Sequence, residues 1–271
     1  LTLISSLLIF AQLSSPESAR LAHLDALGIG KLPIGERTAR VALEFLGTPY
    51  VGGTLDRDPT RERCTVVLDG LDCVTLFETS FAIARILPRP GQLTIEAVRA
   101  EVQRTRYRDG KVTDYASRLH YTSEWFLENC RQGRVANLMT PANGAVPYNR
   151  VTNFMTENPS KYPALVHNPG LVSQLKAHEA KLNAQPRRFF PLSTVNSAQL
   201  QLLKTGDIVG ICTSANGLDC SHTGLIVVSP DGTRQLLHAS SSQKKVVLSS
   251  SFEKYLKTNS GVIGYMAVRP R

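Results

Sequence analysis

The spacing of the apolar residues changes once along the chain, near Pro191, and this change limits the fold more than any other feature. Before it, apolar positions recur at helical spacing. After it, short runs rich in Ile, Val and Leu alternate with turn residues. Ala39, Ala42, Leu43 and Leu46 predict a helix over 36–46, stopped by Gly47 and Thr48-Pro49. Leu76, Phe77, Phe81, Ala84 and Leu87 predict a second over 73–87, with Asp72 as N-cap and Pro88 as terminator. Further helices are expected over 95–106, 115–131 and 171–182, with an Asn- and Pro-rich loop region over 139–170. Strands are expected over 207–212, 223–229, 235–239, 246–248 and 262–268, with a short helix over 252–256. Pro230-Asp231-Gly232 would turn the second strand into the third. Helices first and an antiparallel sheet afterwards make one α+β unit.

Composition narrows the class. Hydrophobic residues make up 42% of the 271, enough for a sizeable core. The net charge of +9 suits an anionic partner, but the basic residues are scattered and no nucleic-acid-binding signature accompanies them. Residues 1–13 (LTLISSLLIFAQL) carry no charge and are too few to cross a hydrocarbon layer roughly 30 Å thick. They have the length of a secretory apolar segment, so 1–19 is expected to be a truncated signal peptide, cleaved after Ser15 or Ala19. Export to the periplasm or the medium follows, with no integral membrane span. Five cysteines (Cys64, Cys73, Cys130, Cys212, Cys220) allow disulfides but leave at least one thiol free. The pairing among Cys64, Cys130, Cys212 and Cys220 is open. With no C-x-x-C spacing, a structural zinc site is not expected.

Cys73 is the leading candidate nucleophile. It follows an N-cap and opens a helix, where unpaired backbone N–H groups and the helix dipole favour an anion. Such a place is expected to lower the thiol pKa and to supply oxyanion donors. His222 opens an apolar strand, and His238 lies on the strand expected to answer it across the turn. The two can be neighbours, with His222 as base and His238 fixing its tautomer. Gly-Leu-Asp-Cys occurs twice, ending at Cys73 and at Cys220, but strand-like sequence follows Cys220, which therefore lacks the helix-start field. His120 and Trp125 read as packing or cleft wall.

Taken in order, Leu46-Gly47-Thr48-Pro49-Tyr50 with Gly52-Gly53, Leu71-Asp72-Cys73, Gly206-Asp207, Ser221-His222-Thr223-Gly224 and Leu237-His238-Ala239-Ser240 resemble the signature of NlpC/P60 papain-like cysteine hydrolases. Gly70 to Thr75, and Ser117 to Tyr121 with Trp125, are similar to the N-acetylmuramoyl-L-alanine amidase-like branch. The resemblance covers the chain from about Gly35 onward. It implies a papain-like fold and a Cys73–His222–His238 triad acting on an amide of peptidoglycan or a muropeptide, without metal or organic cofactor. It also implies that Tyr50 lines the site and that Asp72, Asp219 and Ser221 contribute to substrate binding. The domain would span 20–271, with a helical and loop insertion at about 89–191. Two bonds stay open: the lactyl–L-Ala amide of muramic acid and the γ-D-glutamyl–diamino acid bond. Other readings are a non-catalytic wall-binding protein on the same fold, a thiol acyltransferase, and a zinc amidase built on His222, His238 and Asp207 or Asp219.

Overall fold

The computed structural model describes residues 15–271, so the apolar run 1–13 lies outside the described residues. The chain opens with α1 (Pro16–Ala26), α2 (Ile34–Leu43), α3 (Cys73–Ile86), α4 (Ile95–Arg106) and α5 (Thr122–Arg131). Short strands β1 (Val135–Asn137) and β2 (Val146–Pro147) follow, then α6 (Phe154–Glu157), α7 (Pro163–His167), α8 (Gly170–Asn183) and β3 (Arg188–Pro191). The last third carries α9 (Ser197–Gln201), β4 (Ile208–Thr213), β5 (Cys220–Val228), β6 (Arg234–Ser240), β7 (Lys245–Leu248), α10 (Phe252–Thr258) and β8 (Val262–Pro270).

The strands form one antiparallel sheet in the order β2-β3-β8-β4-β5-β6-β7, with β1 also on β8. The helices-then-sheet reading is therefore met in outline. Three expectations take a different form in the structure. The expected insertion at about 89–191 is woven into the fold: it supplies β1 and β3 to β8, and Val98, Val102, Trp125 and Phe126 enter the main core. Only a smaller second core, centred on Leu165, Leu171 and Leu175 with Tyr121, stands apart. The helix expected over 115–131 is broken. Asp114 caps a single 3-10 turn at Tyr115–Ser117, and α5 starts afresh at Thr122. The expected leader 1–19 also runs into α1, whose first turn begins at Pro16 behind the Ser15 cap and whose Leu21 and Leu24 lie in the core.

The helix α3 packs against α2, α4 and β5. Its body is pinned by a fully buried ion pair, Arg106 Nε to Glu78 at 2.7 Å, while Trp125 Nε1 donates to the other oxygen of Glu78 at 3.0 Å. One helix therefore holds α4 and α5 through a single carboxylate. His120 precedes α5, is half-buried, and bonds through Nε2 to the Tyr115 carbonyl, while Trp125 is buried in the core.

All five thiols are free. Cys212 and Cys220 are register partners on β4 and β5, with sulfurs 3.9 Å apart. A modest closing movement would bring these two to bonding distance. Oxidation with glutathione disulfide, followed by alkylation and peptide mapping, is expected to find Cys212 joined to Cys220 and Cys64 and Cys130 alkylated. Any other pairing among these four would contradict this register.

Candidate active site

The site is built where the start of α3 meets the start of β5. Asp72 closes a capping box: its Oδ1 accepts from the N–H groups of Val74 (3.0 Å) and Thr75 (2.7 Å), and Thr75 Oγ1 accepts from the Asp72 N–H (2.9 Å). The carboxylate is thus engaged in fixing the helix start. The cap bonds all fall on Oδ1 and Asp72 is half-buried, so this positioning task does not contradict the expected substrate contact. Thr223 Oγ1 donates to the Cys73 carbonyl at 2.8 Å, tying the first residue of α3 to the strand residue next to His222. The Thr223 hydroxyl and backbone N–H also favour the Cys73 thiolate. Thr223 belongs to the Ser-His-Thr-Gly motif, but the sequence reading gave it no task.

His222 and His238 are brought together as expected. Leu225 pairs with Leu237, which places Gly224 opposite His238 and puts both histidines on one sheet face, diagonal to each other. Their Nε2 and Nδ1 atoms lie 2.8 Å apart, with the rings at 89°. The glycine is a steric necessity. A Cβ at Gly224 would stand 2.7 Å from Leu236 Cδ1, 2.8 Å from the Leu237 carbonyl oxygen and 3.2 Å from His238 Cβ. The His222 Nε2 is engaged by this bond, leaving Nδ1 for other chemistry.

Tyr50 is set beside Cys73 by the segment 47–51. The N–H groups of Gly47 and Tyr50 donate to the carbonyls of Val246 and Lys244, and Val51 and Leu71 exchange backbone bonds with their neighbours at 3.0–3.1 Å. Gly70 allows this approach, since a Cβ there would meet Val51 Cγ2 at 2.6 Å. Burial first, then a thiolate at Cys73 and the Asp72 charge, raise the Tyr50 pKa, so its hydroxyl stays a donor. A second tyrosine, Tyr255 of α10, stacks on His222 with centroids 6.1 Å apart and planes at 24°. The sequence reading missed it. Its visible signal is the pattern Phe252, Tyr255, Leu256 on one face of a short helix.

Ser221 is exposed beside His222, free to meet a ligand. Asp219 is not. It is fully buried, and its carboxylate accepts from the Ser123 N–H (2.7 Å) at the start of α5 and from the Cys220 N–H (2.6 Å). A peptide amine cannot reach it, so the expected substrate-binding task is withdrawn in favour of a cap. Cys220 sits on β5 against Cys212 and beside Thr122 at the start of α5, yet burial first, then Cys212 and Asp219, raise its thiol well above the ordinary range. Among the described residues no three His, Cys, Asp or Glu side chains are grouped to hold a metal ion, and Asp207 is spent on Arg269 at 2.8 Å.

The electrostatics differ from the expectation. Burial, then the Asp72 charge, push the Cys73 thiol up to about 11, against the opposing pull of Thr223. Burial lowers His222 to about 3, helped by His238, and lowers His238 to about 4. The resting pair is a thiol and a neutral imidazole.

The comparisons with known proteins agree with this construction. Residues 40–262 match the family described as AmiA-like, N-acetylmuramoyl-L-alanine amidase-like. An N-acetylmuramoyl-L-alanine amidase from Bacteroides uniformis is 30% identical, with a TM-score of 0.79 over 88% of this chain and 99% of its own. A Legionella pneumophila protein, 19% identical, shares the fold at a TM-score of 0.68 over 94% of each chain. No curated protein matches. The fold and matches define an amide hydrolase class acting on cell-wall material. Within it, the chain belongs to the AmiA-like, N-acetylmuramoyl-L-alanine amidase-like family, the branch its motifs resemble.

Substituting Gly224→Ala is expected to cost about 1–3 kcal/mol in urea denaturation, the usual range for overpacking. Unchanged stability would mean that the close approach of β5 to β6 is not a constraint.

Proposed function

We propose that the chain is an exported cysteine amidase with a papain-like, NlpC/P60-type site, cutting the amide between the muramic acid lactyl group and L-alanine. The observation that carries this reading is the 2.8 Å bond from His222 Nε2 to His238 Nδ1 beside a helix-start cysteine tied to Thr223. It supports a nucleophile, a base and an orienting group in papain-like order. The family description and the Bacteroides uniformis relative favour the lactyl–L-Ala bond over the γ-D-glutamyl bond. The apolar run 1–13 supports export, since the polymer lies outside the cytoplasm. Processing after Ser15 leaves α1 whole, whereas processing after Ala19 removes its first turn.

The chemistry follows from the groups present. His222 Nε2–H donates to His238 Nδ1, so Nδ1 of His222 is the free base. As Cys73 Sγ attacks the lactyl carbonyl carbon, its proton passes to that Nδ1. The carbonyl oxygen gains negative charge, which the Cys73 backbone N–H and the Tyr50 hydroxyl can meet with hydrogen bonds. The C–N bond breaks as the imidazolium protonates the leaving amine, which departs as the N-terminus of L-Ala. Water then gives its proton to His222 and its oxygen to the thioester, releasing the muramic acid carboxylate and restoring the thiol. Holding both partners neutral at rest keeps the charge separation for the transition state.

Two measurements check the reading. Purified peptidoglycan and soluble muropeptides are digested by the wild type and by Cys73→Ala, and products are weighed by mass spectrometry. Free stem peptide beginning with L-Ala is expected from the wild type and none from the variant. A muramoyl-L-Ala-D-Glu fragment would move the cut to the γ-D-glutamyl bond, and equal cutting by Cys73→Ala would remove the cysteine mechanism. The pH profile is the second. A base with a depressed pKa stays competent as pH falls until it is protonated, so the acid limb of kcat/KM is expected below pH 6.5, the ordinary imidazole value. A limb at or above that value would contradict a buried His222 as base.

A further inference from the structure

One hydrogen bond cannot fix an imidazole. The 2.8 Å contact between His222 and His238 holds one nitrogen of each ring but leaves rotation about the line joining them. A second contact must set the plane of His222 if Nδ1 is to point at the thiol in every molecule. Tyr255 is placed to supply it. Its ring lies nearly parallel to His222, at 6.1 Å and 24°, and edge-to-face with His238, at 5.1 Å and 71°. One aromatic ring thus lies against both imidazoles.

The helix that carries Tyr255 is firmly seated. Phe252 and Leu256, on either side of it, are fully buried, and Phe252 packs edge-on against Tyr265 of β8 at 5.3 Å. Ser251 caps the first turn by accepting from the Lys254 N–H at 3.3 Å. Glu253, Lys254 and Lys257 are exposed. The Tyr255 ring is half-buried, and no hydrogen bond of its hydroxyl is needed to explain its place.

We propose that Tyr255 is a positioning residue whose ring fixes the plane of the His222 imidazole and shields the His222–His238 hydrogen bond from water. The inference rests on the reading of Cys73 and His222 as nucleophile and base. Shielding matters because a hydrogen bond screened from water is stronger and better directed than one in competition with it. The ionisable groups around the pair are His238 on β6, Cys73 and Asp72 at the start of α3, Tyr50 beside them, and Tyr255 itself. Among these, Asp72 is the carboxylate, and it is held in the helix cap.

The test compares the full chain with Tyr255→Phe and Tyr255→Leu. On soluble muropeptide, Tyr255→Leu is expected to lower kcat on the order of tenfold to a hundredfold, the scale of a misplaced reacting group, with KM little changed. Its acid limb is expected to move up toward pH 6.5 as water reaches His222. Tyr255→Phe keeps the ring and is expected to restore both the rate and the limb. Alkylation of Cys73 by iodoacetamide across pH is measured in parallel, because it reads the help His222 gives the thiol whatever the substrate. If the wild type cuts no muropeptide, the amidase reading fails, while the Tyr255 inference is still decided by alkylation. Urea denaturation accompanies each variant. The inference is overturned if folded Tyr255→Leu matches the wild type in rate and pH profile. It is also overturned if Tyr255→Phe is as damaged as Tyr255→Leu, which would assign the task to the hydroxyl.

Discussion

The bond from Thr223 Oγ1 to the Cys73 carbonyl is the joint on which the rest of the site depends. It links two halves that arise from different kinds of local sequence, a capped helix and an antiparallel strand. Each half is stiff on its own side. The helix start is locked by the Asp72 capping box, and its body by the buried Glu78–Arg106 pair. Removing one partner of such a pair typically costs about 3–5 kcal/mol because the other charge is left uncompensated. The strand is locked by its place between β4 and β6. With both halves rigid, one hydrogen bond at their meeting point ties the Cys73 backbone to the residue next to His222.

The same burial that makes the joint rigid decides the charge state. A helix dipole contributes at most about 2 kcal/mol to an anion at its N-terminus, or about 1.5 pKa units. Desolvation of a buried group moves a pKa by up to about 3–5 units. The larger effect wins at Cys73, where burial and the Asp72 carboxylate raise the thiol. Asp72 therefore acts in two opposing ways. It builds the helix start that orients the cysteine, and its charge disfavours the thiolate there. In the proposed mechanism, a neutral His222 and a neutral thiol suit a proton transfer timed with attack better than a preformed ion pair.

What the sequence made legible follows from which interactions are local. Helical spacing and the Asp72 cap are short-range, so α3 and α4 were readable almost to the residue, and the turn at Asp231 brought His222 and His238 together on paper as in the fold. Long-range partners were not readable. β1 and β3 are three and four residues long, and only their pairing with β8 makes them strands. Tyr255 reaches His222 only after α10 is folded back over the sheet. Asp219 looked like a ligand group because it stands near His222 in sequence, yet its carboxylate answers Ser123, 96 positions away in the chain. The break at 118–121 was hidden because a helical apolar pattern runs through it, while Asp114 closes a 3-10 turn there.

The Asp219 cap also shows why the segment before β3 is part of the site's framework. The loop joining β4 to β5 ends at Asp219, three residues before His222, and it is gripped from one side. Asn153 and Phe154 both donate to the Gly217 carbonyl at 2.9 Å, Arg150 holds the Ser214 carbonyl at 2.8 Å, and Asp219 receives the start of α5. Gly217 takes a positive φ of 74°, and a Cβ there would stand 2.7 Å from Asn153 Oδ1, so the grip requires glycine. The satellite core of α6, α7 and α8 is thereby fastened to the loop that leads into the His222 strand. The satellite core and the β4–β5 loop therefore share one hydrogen-bond network, and neither can shift without straining the bonds at Gly217.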